Sequence, residues 1–214
     1  MTRAPLDLRL YLVTDTARTE RHGLGSTVRS AVDGGVTAVQ LRDPDASDEE
    51  FVALGLLLRH ALRDTGVPLL VNDRVHLVER IGADGAHVGQ GDLPPVEARS
   101  VLGHEAYLGL SCHTAEQVRA AAALPGGTLD YLGLGPVWAT ASKPDHAPPI
   151  GVDGVRALVE VAAGMPTVAI GGITADRVVE FGTPGPHGVA VVSAICGAGD
   201  PRAAAAELRA AVSA

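Results

Sequence analysis

Eight short apolar runs, each followed by a stretch of helical character, constrain the fold of this chain more than any other feature. They are "LRLYLVTD" (8–15), "TAVQLRD" (37–43), "PLLVND" (68–73), "GAHVGQ" (85–90), "AYLGLSCH" (106–113), "LDYLGLGPV" (129–137), "PTVAIGGI" (166–173) and "GVAVVSAI" (188–195). Runs of Val, Leu and Ala without strict polar alternation suit strands covered on both faces, as in a parallel sheet flanked by helices. The intervening stretches carry helix signals. "SDEEFVALGLLLRHALRDTG" has Ser47 as an N-cap, acids in its first turn and Gly66 beyond its end, and "TAEQVRAAAAL" opens on a Thr114/Gln117 capping box. Eight βα units in 214 residues predict an α/β chain folded as a (β/α)8 TIM barrel, because an open doubly wound sheet usually uses fewer strands. No linker or low-complexity tract interrupts the pattern, so one barrel domain is expected over 1–214.

Composition narrows the function classes. A formal charge of −8 with no basic run disfavours nucleic acid and anionic membrane surfaces as partners. No apolar run approaches the roughly 20 residues of a membrane span, and "MTRAPLDLRLYLVTD" has no signal-peptide core, so a cytoplasmic protein is expected. Cys112 and Cys196 lie far apart and outside any ligand-spaced cluster, which reads as two buried reduced thiols. The composition is compatible with a homo-oligomer and sets no oligomeric state. A negatively charged chain that binds anions must supply positive charge at the site itself.

Barrel enzymes build their sites from the C-terminal ends of the strands and the loops that follow. Read at those ends, the sequence collects Gln40, Arg42, Asn72, Asp73, Asp92, Ser111, Thr140, Ser142 and Lys143, the last being the only lysine in the chain. Asp73 and Asp92 end adjacent strands, so their carboxylates can share a hard divalent cation through oxygen, with Mg2+ the natural choice; each can equally cap the helix that follows. Gly171 and Gly172 after the seventh strand, with Ser193 in the glycine-bearing segment after the eighth, occupy the place where barrels often bind phosphate through backbone N–H groups. His113 is available as an acid or base, or as a polar residue opening the next helix. The other histidines show no metal-ligand spacing and receive no role.

Taken in order, "YLVTD", "VQLRD", "VND", "GAHVGQGD", "GLSCHT", "DYLGLGPVWATASK", "VAIGGI" and "GVAVVSAI" resemble the thiamine phosphate synthase family over nearly the whole chain. The resemblance implies a (β/α)8 barrel that joins hydroxymethylpyrimidine diphosphate to a thiazole phosphate, two small-molecule substrates, with Mg2+ and release of pyrophosphate. Carried over position by position, it implies that Gln40, Arg42, Asn72, Ser111 and Lys143 contact the pyrimidine diphosphate, with Arg42, Lys143 and Ser111 catalytic. It further implies that Asp73 and Asp92 hold the metal, and that Thr140, Ser142, Gly172, Val192 and Ser193 meet the thiazole phosphate. Two departures stand out. The usual "LREK" reads "LRDP", placing Pro44 where the family commonly has a lysine, and the usual T-x-T-K reads "TASK", which keeps the hydroxyl donor. Two alternatives remain: a thiazole tautomerase of the same superfamily, for which His113 is the available acid/base, and a non-catalytic barrel that binds phosphate ligands.

Overall fold

The structure, a computed structural model, describes residues 4–140 and 147–212. Eight strands form one closed parallel barrel in sequence order: β1 Leu10–Val13, β2 Ala38–Leu41, β3 Leu69–Asn72, β4 Gly85–Val88, β5 Tyr107–Cys112, β6 Tyr131–Leu134, β7 Thr167–Ile170 and β8 Gly188–Val191, with β8 closing on β1. Around it run α1 Leu24–Asp33, α2 Asp48–Ala61, α3 Val78–Ile81, α4 Pro95–Leu102, α5 Ala115–Ala122, α6 Gly151–Val161, α7 Ala175–Val178, α8 Ser193–Cys196 and α9 Pro201–Ala211.

Each observed strand lies inside the run expected for it and is shorter, because the ends of those runs turn into the loops that carry the polar residues. The eighth run overshoots most usefully. Ser193 opens α8 instead of ending a strand, and the amides of Ile195 and Cys196 already donate to the Val192 carbonyl at 3.2 and 2.9 Å. The expected capping boxes form at Ser47/Glu50 and Thr114/Gln117. Helix α2 stops at Ala61, however, short of the expected approach to Gly66. Asp64 adopts a left-handed φ of 64° and turns the chain before the glycine, whose own φ is 73°.

Strand alternation sorts the barrel into two apolar clusters. Leu10, Leu12, Val39, Leu41, Leu69, Val71, Leu108 and Leu132 face outward and pack with helix residues such as Val28, Phe51, Val118 and Leu158. The residues between them, including Tyr11, Ala38, Leu70, Tyr131, Val168 and Ala190, form a separate cluster inside the barrel. Both cysteines are free and buried on the outer layer, and burial pushes their thiols up, to about 12 for Cys112 and about 11 for Cys196.

A repeated device closes the N-terminal end of the barrel. The side chain immediately before each even-numbered strand accepts an N–H from the start of the preceding odd one. Leu10 donates to Thr37 Oγ1 at 3.1 Å, Leu69 to Asp84 Oδ2 at 2.8 Å, Leu108 to Asp130 Oδ2 at 2.7 Å and Thr167 to His187 Nδ1 at 3.1 Å. These bonds satisfy backbone donors at the barrel rim that would otherwise be left without partners. At Asp130 the device is extended. Buried Arg99 pairs with the same carboxylate at 2.8 Å and also donates to the carbonyls of Thr128, Gly103 and Ala106. Asp130→Ala strands both the Leu108 N–H and the Arg99 charge. It is expected to cost about 3 kcal/mol of folding stability, measured by urea unfolding. A loss below about 0.5 kcal/mol would show that the rim bond is dispensable.

Candidate active site

The opposite, C-terminal end of the barrel holds a cavity, and strand alternation decides which side chains reach it. Inward positions at successive strand ends bring Gln40 and Arg42 from β2 and its end, Asn72 from β3 and Ser111 from β5 to its wall. The far side is built by Thr140, Gly172, Val192 and Ser193 from the loops after β6, β7 and β8. Every described residue expected to contact a substrate therefore lines this one cavity. Ser142 and Lys143 lie outside the described residues.

Local hydrogen bonds hold the wall in place. Thr14, following β1, accepts from the Arg42 N–H at 3.0 Å and donates its own N–H to the Gln40 carbonyl at 2.9 Å, which locks the end of β2. Gln90 donates through Nε2 to the Ser111 carbonyl at 2.6 Å, fixing the end of β5. After β6 the chain runs beside β7 for two further residues, with Val137 N–H on the Ile170 carbonyl at 2.9 Å and Trp138 N–H on that of Gly171 at 3.0 Å. This close approach explains the paired glycines. A Cβ on Gly171 would stand 2.6 Å from Pro136 Cβ, one on Gly172 would stand 2.8 Å from Trp138 Cβ, and both have positive φ. Arg177 secures the same turn by stacking on the Trp138 ring and donating to the Gly172 carbonyl at 2.7 Å.

Asp73 and Asp92 are not among the residues that line the cavity; Asp73 follows the lining residue Asn72 directly. Neither caps a helix, contrary to the alternative reading of each. The short helical turn Val75–Leu77 has no side-chain cap, and α4 begins on Pro94 and Pro95. Asp73 instead has a left-handed φ of 60° and accepts from Asn72 Nδ2 at 2.6 Å, while Asp92 folds back to accept the Gly89 N–H at 2.7 Å. Two carboxylates at the ends of adjacent strands are a hard-oxygen donor set that fits Mg2+ completed by water and phosphate oxygens. No group of three or more His, Cys, Asp or Glu gathers for a metal among the described residues, so an ion here would rest on this pair.

His113 lines the cavity, and its ring Nδ1 donates to the Gly135 carbonyl while its N–H donates to Gln117 Oε1 at 2.7 Å. Its observed bonds tie β5 to the loop after β6. Pro44 sits exposed in the turn after β2, where Asp43 Oδ1 accepts the amides of Asp45 and Ala46 at 3.3 and 3.2 Å.

Sequence reasoning missed the floor of the cavity. His87, assigned no role, is 9% exposed and lines it together with Tyr11, and buried Tyr131 lies beneath. The signal was strand parity: Tyr11, His87 and Tyr131 share the inward-facing parity of Gln40, Asn72 and Ser111, with His87 level with Asn72 and with Tyr11 and Tyr131 one inward position below Gln40 and Ser111.

A family model described as thiamine monophosphate synthase matches residues 10–195. The chain belongs to the thiamine monophosphate synthase family. A thiamine-phosphate synthase of Psychrobacter sp. is 50% identical over 198 residues, 92% of each chain, and one of Albidiferax ferrireducens is 45% identical, covering 94% of this chain and 90% of that one. Among solved structures, a thiamine phosphate pyrophosphorylase from Pyrococcus furiosus superimposes with a TM-score of 0.84 at 35% identity, covering 97% and 96% of the two chains. A 3-hexulose-6-phosphate synthase from Salmonella typhimurium, at 18% identity and a TM-score of 0.70 with 96% and 98% coverage, shares the fold alone.

The Arg177 contacts generate a prediction for this family member. Arg177→Met removes a charge-assisted bond to Gly172, and the amides of 171–173 are expected to exchange with solvent about tenfold faster while those of β6 stay unchanged. Unchanged exchange in 171–173 would show that Trp138 alone holds the turn.

Proposed function

We propose that this chain condenses 4-amino-2-methyl-5-hydroxymethylpyrimidine diphosphate with 4-methyl-5-(2-phosphooxyethyl)thiazole to give thiamine phosphate and pyrophosphate. The observation that carries this reading is the convergence of the family's substrate positions on one cavity, with the arginine-bearing end of β2 on one side and the backbone-lined Gly172/Ser193 turn on the other. Two anionic substrates call for two anion sites, and the cavity walls supply a candidate for each. The substrates are small molecules, nucleic acid plays no part in this reading, and we place the reaction in the cytoplasm. No helix among the described residues is long and apolar enough to cross a membrane.

The aminopyrimidine ring donates electron density to the methylene carbon, so the carbon–oxygen bond to the diphosphate breaks ahead of attack. The thiazole nitrogen then forms the new bond with its lone pair, and the electrons of the broken bond leave with pyrophosphate. That nitrogen carries no proton to lose, so bond formation needs no general base, in keeping with the positioning bonds of His113. What the protein stabilises is charge on the leaving diphosphate. Arg42, Ser111 and Lys143 are assigned that task, and donors arranged in advance are commonly the largest catalytic contribution. Asp73 and Asp92 are assigned to hold Mg2+, which when bound supplies Lewis-acid stabilisation of phosphate oxygens. Thr140, Ser142, Gly172, Val192 and Ser193 are assigned to the thiazole phosphate, and Gln40 and Asn72 to the pyrimidine diphosphate.

Incubation with both substrates and Mg2+ is expected to yield equimolar pyrophosphate and thiamine phosphate, and absence of both products would overturn the assignment. Lys143→Ala is expected to lower turnover about a hundredfold or more with an unchanged melting temperature, and Lys143→Arg to restore it poorly, because a planar guanidinium reaches a phosphate oxygen differently from a compact ammonium. Wild-type rates in Lys143→Ala would remove its role. Asp73→Ala and Asp92→Ala should each raise sharply the Mg2+ concentration needed for half-maximal rate, and normal titrations in both would remove the metal site.

A further inference from the structure

The cavity floor is a continuous hydrogen-bonded chain that crosses the barrel. Gln40 Nε2 donates to Tyr11 Oη at 3.0 Å, Tyr11 Oη meets Tyr131 Oη at 2.9 Å, Tyr131 Oη meets His87 Nδ1 at 2.9 Å, and His87 Nε2 meets Ser111 Oγ at 2.9 Å. The two ends line the cavity and belong to the pyrimidine diphosphate set, whereas Tyr131, fully buried, lies below it. Inward glycines make room for the chain. A Cβ on Gly109 would fall 2.2 Å from Tyr131 Cζ and 2.5 Å from His87 Nδ1, and one on Gly133 would fall 3.1 Å from His87 Cε1. Ring contacts of 5.9 Å between Tyr11 and Tyr131 and 5.4 Å between His87 and Tyr131 hold the members in register. Burial also raises the pKa of both phenols, that of Tyr11 to about 12, so each keeps the single proton on which the chain depends.

A hydroxyl has one proton, so the chain has one direction at a time. Tyr11 accepts from Gln40 and must spend its proton on Tyr131. Tyr131 must then donate to His87 Nδ1, which leaves the proton of a neutral imidazole on Nε2, aimed at Ser111 Oγ. The Ser111 proton is thereby left for a ligand, and the Gln40 amide offers a ligand its Oε1. Reversing one bond would require turning the amide at the far end and reversing every bond between.

We propose that Tyr11, Tyr131 and His87 are positioning residues whose hydrogen-bond order presents Gln40 as an acceptor and Ser111 as a donor at the same time. This polarity suits an aminopyrimidine diphosphate, whose amino group donates and whose diphosphate oxygens accept. It discriminates against a ring that carries a carbonyl in place of the amino group, since a site built to pair with an N–H is left with an unpaired acceptor. The inference rests on the pyrimidine diphosphate assignment of the cavity.

The test uses calorimetric affinities of the intact protein with Mg2+ for two ligands, the 4-amino pyrimidine diphosphate and its 4-oxo analogue, without the thiazole. The wild type is expected to prefer the amino ligand. Tyr131→Phe, which removes an atom no ligand touches, deprives Tyr11 of its acceptor and lets the Gln40 amide turn, so the preference should narrow by about tenfold. Tyr11→Phe should narrow it similarly and decides the matter if Tyr131→Phe loses its cooperative melting transition. A preference unchanged in the folded variants, or no preference in the wild type, overturns the proposal. Failure of the wild type to make thiamine phosphate, with the amino preference intact, would overturn the reaction and leave the polarity standing.

Discussion

Closing a parallel sheet of eight strands on itself gives every strand residue a side, and the rest of this molecule depends on how that closure is held. At the N-terminal rim Thr37, Asp84, Asp130 and His187 take amides at the start of alternate strands, a fourfold repetition with three different residue types. What matters at that rim is an acceptor at the correct height, which is why hydroxyl, carboxylate and imidazole all serve. With the register set from below, inward parity carries upward without slippage, since a shift of one residue would turn every inward side chain outward. Tyr11 and Val13, Ala38 and Gln40, Leu70 and Asn72 then rise in pairs towards the cavity, apolar below and mostly polar above.

Charge is distributed on the same logic. The chain is acidic overall, yet many of its arginines are paired with acids on the outside, among them Arg18 with Asp15, Arg59 with Asp84, Arg80 with Glu49 and Arg156 with Asp153. Exposed pairs of this kind add little stability, but each offsets an arginine's charge locally. Arg42 brings a cation to the cavity wall from the end of β2.

The barrel, the order of its strands and the identity of most rim residues were legible in the sequence, because continuous apolar runs, caps and strand-end polar residues each leave a local signature. The capping boxes at Ser47 and Thr114 formed as read. What was illegible depends on contacts between distant segments. The end of α2 before Gly66 turned on the conformation of Asp64. In place of the helix caps that Asp73 and Asp92 offer in the sequence, the two side chains bond Asn72 and Gly89. The histidine with the most consequential neighbours, His87, had no motif of its own, and its importance arises from Tyr131 and Ser111 on the two strands that follow.

The same barrel in a 3-hexulose-6-phosphate synthase at 18% identity shows that closure and layering can be kept while the sequence is almost wholly rewritten. The residues that set chemistry must then be the few that rise above the shared layers. In this chain they divide into two kinds. Under the proposed function, Arg42 and the glycine turn at 171–172 act through charge and backbone donors. Pro44 lies in an exposed turn held by Asp43, which needs no cation for its own folding. Gln40 and Ser111, as proposed above, act through hydrogen-bond direction, because a buried chain with one proton per hydroxyl is ordered either one way or the other. The glycines at 109 and 133 and the rings they accommodate are bound to one another by geometry, so the order of that chain depends on a backbone that leaves room for it.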